Sequence, residues 1–166
     1  MASAPAAVTT FLIIKALHVM AAFCAYGLPL AYPMLLPYVR RNHPRAMPGV
    51  HDVQHRLNVR LTGPGTVLLF AFGVYLASDE HLWGQTYVIV GLTILAIIVV
   101  AGGLIVQMTA RMAELATAAV AATPAGGEIA FGADYERVYR RYMAIEVGLG
   151  LLVLVAIFFM VAKPFS

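Results

Sequence analysis

Lys15 and His18 stand three residues apart in Phe11-Leu-Ile-Ile-Lys15-Ala-Leu-His18-Val-Met20, a segment otherwise apolar enough to enter a bilayer. A charged side chain deep in lipid costs roughly 3 kcal/mol on insertion scales, so such residues normally face a bundle interior, a cofactor or water. Their spacing puts both on one face of a helix. An imidazole in that position can serve as the axial ligand of a haem iron. Continuing the same face brings in Ala22, Ala25, Pro29 and Pro33, mostly small residues that leave room for a flat cofactor. The competing reading is a histidine packed between helices and hydrogen-bonded to a carbonyl, with Lys15 snorkelling to the surface.

Three further groups could carry chemistry. Glu146 is the one carboxylate inside an expected membrane span, where it can form a structural ion pair with Arg60 or Arg111, hydrogen-bond Gln107, or handle protons. His51 and His55 have i, i+4 spacing, which suits a metal but supplies only two ligands, so a solvated helix face is expected. His18, Met20, Cys24 and Met34 are soft enough for copper, but their spacing scatters them around the helix. The lone Cys24 forbids an intramolecular disulfide and reads as a small packing residue.

The elements that must position these groups follow from composition. The chain has 166 residues, 61% of them hydrophobic and 11% charged, and a mean hydropathy of +0.84. Those values describe an integral membrane protein rather than a soluble domain. A spanning helix needs about 20 apolar residues, and four stretches qualify, at 10–38, 61–78, 87–108 and 142–161. Together they predict one all-α transmembrane domain, a four-helix bundle. The first apolar run is long and has no Lys or Arg before it, so it is expected to remain as a span rather than to be removed as a signal peptide.

Pro29, Pro33 and Pro37 predict a bent or broken second half of the first helix. The stretch 51–60 predicts a short interfacial helix with Val50, Val53 and Leu57 on its apolar side. The third helix is expected to run past the membrane through residues 108–122, and the fourth to begin near Asp134 and end at Lys163-Pro164-Phe165. Arg40, Arg41, Arg45, Arg56 and Arg60 fill the first connection and Arg111, Arg137, Arg140 and Arg141 flank the third, whereas Asp79-Glu80-His81 in the second has no Lys or Arg. The positive-inside rule then places the first and third connections in the cytoplasm and both termini outside it. These arginines read as topology and anionic-lipid signals, not as a nucleic-acid footprint. No phosphate-binding glycine loop, dinucleotide fingerprint, zinc-ligand spacing or nucleophile elbow is present.

Ile14-Lys15-Ala16-Leu17-His18-Val19, followed by Gly27-Leu-Pro and Tyr32-Pro33, resembles the first helix of the HemJ-type protoporphyrinogen oxidases and their small four-helix membrane relatives. Thr62-Gly63-Pro64-Gly65 with Phe72-Gly73 looks like their second helix. Tyr135-Glu136-Arg137-Val138 through Glu146 to Val161-Ala162-Lys163-Pro164-Phe165 looks like their fourth. The resemblance implies haem b on His18, with Lys15 as its electrostatic neighbour. A lysine of that family early in helix three has no counterpart in 82–90, and its Asn-Glu pair in helix four reads Ile145-Glu146 here. The expectation is therefore a redox-linked haem protein on this scaffold, in the inner membrane of a bacterium, with chemistry that departs from protoporphyrinogen oxidation. One small bundle has little interior for a large cofactor, so a homo-oligomer is expected. The alternatives are a non-enzymatic accessory subunit of a larger membrane complex and a copper or small-solute transport component.

Overall fold

The apolar stretches become helices because nothing else satisfies backbone polar groups in hydrocarbon. In the computed structural model, residues 4–164 are described, with side chains from Thr10 onward, and no strand occurs among them. Helix α1 (Ala4–Tyr26) carries Lys15 and His18. The chain then breaks at Gly27 and runs through a single 3-10 turn, Pro29–Ala31, into α2 (Tyr32–Asn42). Proline explains the break, since Pro29 has no N–H to continue the ladder. Pro33 falls in the first turn of α2, where a missing donor is tolerated, and Pro37 lies inside the helix.

A second 3-10 turn, Pro44–Ala46, leads into α3 (Met47–Leu57), which passes through a π-helical turn (Asn58–Thr62) into α4 (Gly63–Asp79). The Gly63 N–H reaches back five residues to the Asn58 carbonyl. A Cβ at position 63 would lie 3.3 Å from that oxygen, so glycine permits the wide turn. Such π turns are frequent at functional positions. Helix α5 (Thr86–Ala121) and helix α6 (Ala133–Ala162) complete the element order. The 36 residues of α5 extend roughly 54 Å at 1.5 Å per residue, well beyond a hydrocarbon core of about 30 Å. The expected overshoot of the third helix is therefore present.

Four helical stretches are long and apolar enough to cross a membrane: Thr10–Asn42, Pro44–Asp79, Thr86–Ala121 and Ala133–Ala162. Their outer faces show why. Met34, Phe23, Val100 and Val161 are 82%, 77%, 74% and 79% exposed, a distribution that water would penalise and lipid accepts. Inside, α1 packs along α4, and α5 packs against both α3 and α6. At one end the interior holds Tyr32, Leu36, Met47, Met112, Tyr135 and Tyr142. Mid-bundle it holds Ala25, Tyr26, Ile94, Ile98 and Val153.

The stretch 51–60 departs from the sequence expectation. It is not an interfacial helix with valines inward and histidines solvated. His51, Gln54 and Asn58 are buried, whereas Val53 and Val59 are exposed. The reason is tertiary: α6 offers the Tyr135 and Tyr142 hydroxyls to the polar side of α3, and Val53 and Val59 can face the apolar surroundings. The first and third connections also meet at one end of the bundle. Arg45 donates to the carbonyls of Pro124 and Gly127 at 2.6 and 3.1 Å, and Arg40 pairs with Glu136.

Candidate functional site

His18 is half-buried in the α1/α4 seam, with its Nδ1 3.1 Å from the Leu69 carbonyl oxygen. A carbonyl only accepts, so Nδ1 carries the proton and donates, which leaves the Nε2 lone pair unused by this bond. Metal-bound histidines are commonly oriented in this way, by donating the other ring N–H to a carbonyl. Gly73 makes the seam possible, because a Cβ there would stand 3.2 Å from His18 Cε1. About two turns further along, Gly65 lets Ala25 approach, with 3.1 Å between a Cβ at 65 and the Ala25 Cβ. Tyr26 then donates to Thr66 Oγ1 at 2.9 Å, and Thr66 donates to the Thr62 carbonyl at 2.8 Å.

The imidazole thus has its Nδ1 committed to a backbone carbonyl and its Nε2 outside that bond. Lys15 is exposed on the outside of α1 and has no ion pair among the described residues. No group of three or more His, Cys, Asp or Glu side chains converges among the described residues. Cys24 is exposed rather than packed.

Sequence reading left the second polar site unassembled. Tyr135 donates its O–H to His51 Nε2 at 2.9 Å, and His51 Nδ1 donates to Gln54 Oε1 at 2.8 Å. Gln54 Nε2 donates to the Tyr142 hydroxyl at 3.1 Å, and the Glu146 carboxylate lies beside Tyr142. The directions are mutually consistent: because the Gln54 amide nitrogen is spent on Tyr142, its oxygen must accept from His51, which fixes a neutral imidazole tautomer. One chain of four side chains therefore runs from Tyr135 to Tyr142 between α3 and α6, with Glu146 beside its inner end.

Its outer end is closed by Arg40, whose guanidinium sits 4.8 Å from the Tyr139 ring centroid and 5.8 Å from that of Tyr135. The expected arginine partners of Glu146 are not the observed ones. Arg111 pairs with Glu114 at 2.9 Å, Arg60 is exposed, and Glu146 meets Tyr142 with Tyr32 nearby. Nor do His51 and His55 share a ligand site, since His55 bonds the Val106 carbonyl at 3.2 Å while His51 joins the chain. The signal for this site was present as two helical stripes. Positions 51, 54 and 58 are spaced 3 and 4 apart, and positions 135, 139, 142 and 146 are spaced 4, 3 and 4 apart.

Glu146 also reaches a cavity of about 330 Å³. Asn58 and Thr62 of the π turn, Tyr26, Thr66, Gly102, Gly103 and Gly150 contribute to its wall. His18 does not line it.

No curated protein and no solved structure matches the chain. A family model described as "Predicted integral membrane protein (DUF2269)" matches residues 12–164, which takes in all four helical spans and both polar sites. With four apolar helices of spanning length and a match over nearly its whole length, the chain belongs to the DUF2269 family of predicted integral membrane proteins.

Proposed function

We propose that this protein is a redox-linked membrane protein that binds haem b through His18, on a scaffold similar to that of the HemJ-type proteins. The observation that carries the reading is the Nδ1–H bond from His18 to the Leu69 carbonyl beside Gly73. It orients the ring and leaves Nε2 as the free donor atom. A bound haem would supply one-electron transfer at its iron. The chain's own residues hold and orient: Leu69 sets the tautomer, Gly73 keeps the ring unobstructed, and Lys15, one turn earlier, offers a cation to acidic substituents. The family lysine that is lacking in 82–90 supports chemistry other than protoporphyrinogen oxidation.

An absorbance spectrum tests this reading. Protein purified from haem-replete cells is expected to show a Soret band that His18→Ala abolishes. No band, or the same band in the variant, refutes it.

The arginine-rich connections share one end of the bundle, which supports a cytoplasmic placement of that end in a bacterial inner membrane and both termini outside. A second copy, or a larger membrane complex, is favoured by the exposed Gly148 on α6, where an added Cβ meets nothing within 4 Å. Cross-linking in membranes is expected to yield a dimer or a stoichiometric partner.

A further inference from the structure

His18 does not line the cavity beside the π turn, although Tyr26 and Thr66 of the α1/α4 seam do, and that cavity has features of its own. Its volume, about 330 Å³, lies at the small end of ligand sites and suits a single substituted ring better than a macrocycle. Most of its wall is aliphatic or glycine, including Leu149, Ile98, Gly102 and Gly103. It lies among spanning helices, so a ligand would arrive from lipid. A Cβ at Gly102 or Gly103 would meet nothing within 4 Å, so these positions keep the cavity open rather than serving close helix packing.

Two polar groups on this wall are unexplained by folding alone. Asn58 is 6% exposed, lines the cavity and has an amide nitrogen without a hydrogen-bond partner. Buried polar groups are nearly always paired, and an exception calls for a ligand or water. Glu146 is equally buried and lines the same cavity. An ionisable residue inside a span is by default a functional one. The pair offers an amide donor and a carboxylate acceptor within one ring-sized apolar space.

We propose that this cavity binds the ring of a lipid-soluble quinol, with Glu146 accepting from one ring hydroxyl and Asn58 donating to the other ring oxygen. The mostly aliphatic wall is unsuited to a hydrated ion, and one carboxylate among hydroxyls and an amide is little charge to hold a bare divalent one. The two groups support a neutral ligand with its own donor: the Asn58 amide nitrogen needs an acceptor, and the Glu146 oxygens can take an O–H. The proposal concerns binding alone and does not rest on the haem reading, because none of its residues touches His18.

Titration of the purified full chain in lipid nanodiscs with decylubiquinol, kept reduced under anaerobic conditions, tests it. Saturable binding with one site per chain is expected, weakened at least tenfold by Asn58→Ala and by Glu146→Gln. Gly103→Leu adds bulk to the cavity wall at a position where the first added carbon meets nothing within 4 Å, and is expected to weaken binding at least tenfold while shifting the thermal midpoint of the apoprotein by less than about 2 °C. This variant keeps the test decisive if the polar substitutions impair folding. Absence of saturable binding overturns the proposal, as does equal affinity in wild type and Gly103→Leu. Displacement of the quinol by tetraphenylphosphonium at equal or lower concentration overturns the assignment to a neutral ring and makes the cavity a cation site.

Discussion

The α1/α4 seam and the α3/α6 seam solve the same problem, placing polar side chains among apolar helices, by opposite means. In the first, His18 and Thr66 each bond a backbone carbonyl, and small residues at 25, 65 and 73 bring the helices together. In the second, Tyr135, His51, Gln54 and Tyr142 bond one another through side chains only, with Glu146 beside Tyr142. A backbone acceptor is held in place by the helix and survives loss of its donor. A side-chain chain is interdependent, because removing one member leaves two others unpaired. The first seam can therefore give up polar contacts at modest cost and leaves the His18 Nε2 outside its carbonyl bond, whereas the second ties α3 to α6 through matched side chains.

That contrast breaks first at His51. His51→Ala leaves the Tyr135 hydroxyl and the Gln54 carbonyl unpaired among buried neighbours, which is expected to cost about 3 kcal/mol. Thermal unfolding in detergent is expected to show the midpoint falling by about 10 °C. A fall under about 2 °C would mean that the four side chains do not act as a unit. Pairing it with Tyr142→Phe sharpens the point, since members of one network are expected to be non-additive by about 1 kcal/mol.

Gly73→Ala tests the first seam. An added methyl would press on His18 Cε1 at 3.2 Å, and the ring must yield by a few tenths of an ångström. A cost of about 1 kcal/mol is expected, together with a displaced Soret maximum in haem-loaded protein. An unchanged spectrum with unchanged stability would detach Gly73 from the ligand geometry. The smallest effect is expected at Lys15: Lys15→Ala, on the outside of α1, is expected to change stability by less than about 0.5 kcal/mol, measured by the same melt. A larger loss would reveal a partner for this ammonium.

Much of the architecture was legible from residue types alone. Four apolar runs of spanning length, the prolines at 29, 33 and 37, and the helix formers of 108–122 respectively dictate four spans, a broken first helix and an overlong third. Hydrophobicity and the missing proline N–H are local properties, so no knowledge of neighbours was needed. His18 was legible too as a residue requiring a reason, although the Leu69 carbonyl that orients it lies 51 residues away in the chain.

Pairing was decided only by tertiary structure. Valine and histidine on α3 read as an ordinary amphipathic helix until α6 is seen to carry the complementary stripe of tyrosines and Glu146, which turns the polar face inward. In a membrane, the outward direction is as apolar as the core, so hydrophobicity along one helix no longer says which face is buried. The partner's hydrogen bonds say it instead, and those belong to two helices at once.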